Sequence, residues 1–154
     1  MDEFSARVDD MMRQVEANVT RVGWHATGVF GGGECFMYTT GLTGGDHPEL
    51  VITGLPPKAA HGILAGAIKV IRSGTPLAPG REYQDIARGF PVRFRAVDQG
   101  ACRHPLSVTT RFYGRQVPAV QLVWPDPAGR FPGEPGCDPA MAEAQDIERG
   151  EHDG

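Results

Sequence analysis

The stretch Met-Tyr-Thr-Thr-Gly-Leu-Thr-Gly-Gly-Asp-His-Pro-Glu-Leu-Val-Ile-Thr-Gly-Leu, residues 37–55, decides the fold. Two β-rich runs flank a polar turn of Gly, Asp and Pro, residue types that reverse the chain between strands. Pro48 pushes His47 out of helical geometry, and residues 49–53 then read as a short strand. Upstream, residues 24–30 are a further β-rich run, separated from the first flanking run, residues 35–42, by Gly31, Gly32, Gly33 and Glu34, which is a hairpin signal. Before them, Phe4, Val8, Met11, Met12, Val15 and Val19 recur at steps of three and four, so residues 3–20 are predicted to form an amphipathic helix that Gly23 ends.

Downstream of the turn, Pro56 and Pro57 open a second helix that runs to Ser73, with Ile63, Leu64, Ala67, Ile68 and Ile71 on one face. Residues 90–97 alternate Val92, Phe94 and Ala96 with Arg93 and Arg95, a strand with one wet face. Residues 106–113 fit either a strand or a short helix entered after Pro105, and the reading leans to helix. Residues 117–124 are almost continuously apolar, as in a strand buried on both faces of a sheet interior. Helix, three strands, helix, strand, helix, strand is an α+β order. It predicts a single domain over residues 1–133, with a mixed sheet of about five strands covered by two or three helices.

With 154 residues, 40% of them hydrophobic, the chain can bury one sizeable core. The net charge of −4 is carried by the end of the chain: residues 141–154 hold Glu143, Asp146, Glu148, Glu151 and Asp153 against Arg149. Residues 134–154 are therefore expected to be an acidic, disordered tail. The rest is electrically neutral, and a neutral body gives no reason to expect a nucleic-acid partner, which needs a basic face. Apolar runs are too short for a membrane helix, and the N-terminus lacks a basic-then-apolar leader, so a soluble cytoplasmic protein is expected. Cys35, Cys102 and Cys137 are odd in number and unrelated in spacing, which suits reduced thiols.

No complete cofactor, metal or nucleophile signature is present, and the cofactor is left unknown. The triple glycine lacks the spacing of a phosphate loop. His47 and Glu49 lie two apart, so in extended backbone they share a side and could act as a base and its partner or share a metal with a further histidine. The same pattern serves a turn in which Glu49 accepts backbone hydrogen bonds. Tyr38 and Thr40, on one side of the preceding strand, could line a pocket with their hydroxyls, or be plain strand residues. Cys102 and His104 form half a site at most. Trp124-Pro125-Asp126 has the look of a phosphatase acid loop, but no cysteine is followed six positions later by the arginine that chemistry requires. The first functional expectation is a non-catalytic module binding a protein or small molecule at Tyr38, Thr40, His47 and Glu49. The alternative is a small hydrolytic or metal-assisted enzyme using His47 and Glu49.

Gly23-Trp24, Tyr38-Thr-Thr-Gly-Leu42, His47-Pro-Glu-Leu50, Thr53-Gly-Leu55, Tyr113-Gly114 and Gln121-Leu-Val-Trp-Pro-Asp126 followed by Gly129-Arg-Phe-Pro132 together resemble the bacterial family catalogued as domain of unknown function 4262. The resemblance spans roughly residues 20–132 and implies kinship without an assigned activity. The chain departs from it in the Gly31–Gly33 loop and at Gly133, where a tryptophan is expected. Residues 37–72 are also similar to suppressor-of-fused-like domains, which implies a protein-binding module.

Overall fold

The computed structural model describes residues 2–31 and 34–148. Helix α1 spans Glu3–Val22, and its first turn is capped by the Asp2 carboxylate, which accepts from the Ser5 N–H at 2.7 Å. Strands β1 (His25–Gly31) and β2 (Glu34–Thr40) pair antiparallel, and β3 (Glu49–Thr53) pairs antiparallel to β2. Helix α2 (Pro57–Arg72) begins with Pro57 in its first turn, where a missing N–H costs nothing. Strands β4 (Glu82–Ala87) and β5 (Phe90–Ala96), helix α3 (Ser107–Tyr113), strand β6 (Ala119–Val123) and helix α4 (Pro139–Ala144) complete the order.

The six strands form one mixed sheet in the order β1-β2-β3-β6-β5-β4. β3 and β6 lie side by side in parallel at its centre, and all ten of their residues are buried. Parallel strands need both faces covered. On one face Leu50, Ile52, Val120, Leu122, Val92 and Phe94 pack against Ala60, Leu64, Ala67 and Ile68 of α2. On the other, Phe36, Tyr38 and Val51 meet Val15 of α1 and Leu106 and Val108 at α3. Each such Val, Leu or Ile contributes about 1.5–3 kcal/mol by leaving water, so the two central strands dominate the core.

The α+β single domain expected from the sequence is the fold observed, with six strands instead of about five and four α-helices instead of two or three among the described residues. Strand β4 is the added strand. It is an edge strand with Ile86 as its one buried side chain, so it carries almost no alternation to read. The disorder expected from residue 134 onward does not hold for residues 134–148. There α4 starts at an Asp138 cap, and Met141, Gln145 and Ile147 insert into the body at 8%, 0% and 6% exposure. Composition undercounted this segment because three inward side chains and a backbone that is hydrogen-bonded to the sheet are enough to hold it. The rest of the expected tail, residues 149–154, lies outside the described residues.

Candidate functional site

Glu49 opens β3 and is completely buried. Its carboxylate accepts from the N–H groups of Gly41, Leu42 and Thr43 at 3.3, 3.2 and 2.9 Å. It also accepts from the hydroxyls of Thr39 at 2.7 Å and Thr43 at 2.6 Å. A short 3₁₀ turn, Leu42–Gly45, thereby has its otherwise unpaired N–H groups answered by one side chain. Gly41 makes the turn possible: its φ is +127°, and a Cβ there would lie 2.4 Å from the Gly23 carbonyl oxygen. Tyr113 at the end of α3 stands beside the same carboxylate; burial first, then the Glu49 charge, raises its phenol above the ordinary value.

His47 is 8% exposed and turns away from this cluster. Its Nε2 accepts from the Leu77 N–H at 2.9 Å, which obliges Nδ1 to carry the proton that bonds the Pro48 carbonyl at 2.8 Å. Both ring nitrogens are thus committed, and a metal on Nε2 would orphan the buried Leu77 amide. Tyr38 and Thr40 are equally inward, at 2% and 0% exposure. The Tyr38 hydroxyl accepts from the Val108 N–H at 3.0 Å. Thr109 donates to the Thr39 carbonyl at 2.8 Å, so Thr40 donates to Thr109 at 2.8 Å. These hydroxyls pin α3 to β2. Tyr38, Thr40, His47 and Glu49, expected from the sequence to bind a ligand, are all buried, and their side chains hydrogen-bond to other groups of the protein.

Among the described residues, His25, His61 and His104 do not complete a site with His47. His104 Nε2 bonds Glu34 at 2.6 Å, and this bond above all holds the Glu34 carboxyl below the usual carboxylate range. His61 stacks on Trp24, ring centroids 5.2 Å apart, and His25 bonds Asn18. The Cys102 thiol donates to the His104 carbonyl, not to its ring. Among the described residues no three His, Cys, Asp or Glu side chains cluster as a metal set. Nor is any helix among them long and apolar enough to cross a membrane.

The opposite end of the sheet, where β3 and β6 finish, holds an open groove of about 440 Å³ lined by Leu55, Phe90, Pro91, Trp124, Pro125 and Pro127. Trp124 is clamped there. Its indole N–H donates to the Thr53 carbonyl at 3.0 Å, while Gln145 accepts from its backbone N–H at 2.9 Å and donates to its carbonyl at 2.8 Å. Gly54, at φ +89°, lets Trp124 close down: a Cβ would stand 3.0 Å from the ring. One wall is set by Asp126, whose carboxylate accepts from the N–H groups of Arg130 at 2.8 Å, Ala128 at 3.0 Å and Asp138 at 3.1 Å. The Arg130 amide leads in drawing that carboxyl below its ordinary value.

Arg93 and Arg95 do share a face, but neither is left for a ligand. Arg93 bonds Glu82 and Glu134 and lies 4.0 Å over the Phe131 ring. Arg95 donates to Gln121 at 2.8 Å and to the Gln145 carbonyl at 2.6 Å.

The family model described as domain of unknown function, DUF4262, matches residues 18–138. The chain belongs to this family. No curated protein and no solved structure matches the chain. The DUF4262 match takes in the Glu49 corner and the residues of the Trp124 groove, and it ends at the Asp138 cap of α4. Gln145, which holds Trp124 in place, lies beyond it. Sequence reasoning missed Gln145 because a glutamine in an acidic run carries no pattern; it missed Phe90 and Pro91 as groove residues because both sit at a strand start.

Proposed function

We propose that this DUF4262 domain is a non-catalytic binding module of the bacterial cytoplasm, whose partner is a protein segment or small molecule with an uncharged, apolar face. Tyr38, Thr40, His47 and Glu49 serve it as internal supports of the sheet's other end, and the ligand meets Trp124. The observation that carries the reading is the double clamp on Trp124: ring to Thr53, backbone to Gln145. A rigid aromatic wall loses little conformational freedom on binding, which is how preorganisation raises affinity. The position agrees with this, since ligands of sheets with parallel strands gather beyond the strands' carboxyl ends. The neutral body argues against nucleic acid as the partner.

A panel of small aromatic and aliphatic fragments, followed by amide and indole N–H chemical shifts, tests the proposal. Fragments are expected to move the Trp124 indole and the amides of Gly89 and Phe90, and Trp124→Ala is expected to abolish those shifts. A panel that moves none of them refutes it.

A further inference from the structure

The two edges of the sheet are treated differently. β4 is guarded: Glu82, Gln84 and Asp85 point outward or lie exposed, its register with β5 shifts between Tyr83 and Ala87, and Glu82 is tied to Arg93. Charge and irregularity of this kind keep a foreign strand from adding on. β1, with sequence His-Ala-Thr-Gly-Val-Phe-Gly, has no proline and no Asp, Glu, Lys or Arg, and it pairs in unbroken register with β2 alone. Among the described residues the large apolar side chains left exposed are Phe4, Met11 and Val22 of α1 and Val29 and Phe30 of β1. All five belong to these two adjoining elements.

The outward-facing backbone of β1 can be identified from its neighbour. The Cys35 carbonyl bonds the Gly54 N–H at 2.9 Å, so Cys35 directs its backbone toward β3 and its partner Phe30 directs its own away from β2. By alternation Ala26, Gly28 and Phe30 present their N–H and C=O groups to the outside.

From this we infer that the β1 edge binds a second copy of this chain by antiparallel strand addition about a two-fold axis at Gly28. That register uses the whole strand. It sets Gly28 against Gly28, Ala26 against Phe30 on the α2 face and Thr27 against Val29 on the α1 face, and every outward N–H meets an outward carbonyl. No like charges oppose one another, and self-complementarity of this sort is what a two-fold dimer requires. The axis also brings the two α1 helices to the same face. Their exposed apolar side chains then supply area that a seven-residue strand lacks, since a stable interface needs about 800 Å² from each partner. The inference is independent of the Trp124 groove.

Sedimentation and light scattering of the full chain at micromolar concentration test it. The wild type is expected at twice the 16.6 kDa chain mass, and Val29→Lys with Phe30→Lys at the single-chain mass. Amide exchange on the unaltered protein gives a reading that needs no variant: the N–H groups of Ala26, Gly28 and Phe30 are expected to gain protection as concentration rises. A wild type that stays monomeric, a folded double-lysine variant that stays dimeric, or exchange at those three amides that ignores concentration would each overturn the proposal.

Discussion

Replacing Glu49 probes the corner that sets β3 against β2. Glu49→Ala removes the acceptor of three backbone N–H groups and two hydroxyls at once. The two threonine hydroxyls can rotate to other acceptors, and the amides of Gly41 and Thr43 are only partly buried, so water can reach them. Leu42 is 7% exposed, and its amide has no such recourse. An orphaned buried donor costs about 1–3 kcal/mol, and bonds to a charged acceptor exceed neutral ones, so the sum for Glu49→Ala is about 3–5 kcal/mol. Glu49→Gln keeps the shape and one oxygen but turns an NH₂ toward N–H donors, and about 2–4 kcal/mol is expected. Urea denaturation followed by circular dichroism measures both, with the slope unchanged and the midpoint lowered. In a chain of this size each kcal/mol lowers the melting temperature by about 2–4 °C. A double-mutant cycle of Glu49→Gln with Thr39→Val is expected to show coupling of about 1 kcal/mol, as for directly bonded side chains. Loss of less than about 1 kcal/mol in Glu49→Ala would refute the claim that this carboxylate anchors the turn.

His47→Phe should leave the Leu77 amide without its acceptor and cost about 1–3 kcal/mol, with the 77–80 loop exchanging its amides faster; unchanged exchange there would contradict the assigned bond. Gly41→Ala must move either its own backbone or that of Gly23, and about 2–4 kcal/mol of destabilisation by urea titration is expected. Gln145→Ala should free Trp124 and shift its fluorescence toward that of a solvated indole, measured in a Trp24→Phe background so that one tryptophan reports; an unaltered spectrum would count against the clamp. The lowered Asp126 carboxyl supplies a pH test. A depressed folded-state value contributes stability that is present above the unfolded value and fades as pH falls through the folded one, from about pH 4 downward. Asp126→Asn should therefore flatten the acid limb of the stability profile, and an unchanged limb would show that other carboxylates govern it.

Much of the fold was legible because local patterns carried it. The alternation of Val92 and Phe94 with Arg93 and Arg95, and the apolar run ending at Trp124, gave strands whose burial the structure matches. The Glu49 turn was readable as chemistry as well: a carboxylate three residues after a Gly-Gly-Asp turn has loop amides within reach. The site was harder. Tyr38 and Thr40 looked like pocket residues because a hydroxyl on a strand can face a ligand or a neighbour. Their true partners, Val108 and Thr109, come from a helix about seventy residues further on. Arg95 and Gln145 meet across fifty residues in the same way.

Sequence alone determined the first two helices, the hairpin and turn between them, and the strands around Val92 and Leu122, because periodicity and turn chemistry act between residues only a few positions apart. Tertiary structure decided that β3 and β6 lie side by side in parallel, that His47 and Glu49 serve different neighbours, and that an acidic end segment folds back to clamp Trp124. Those outcomes depend on which distant surfaces cover one another, and covering a buried amide or an apolar face is a property of the assembled chain that no single segment contains.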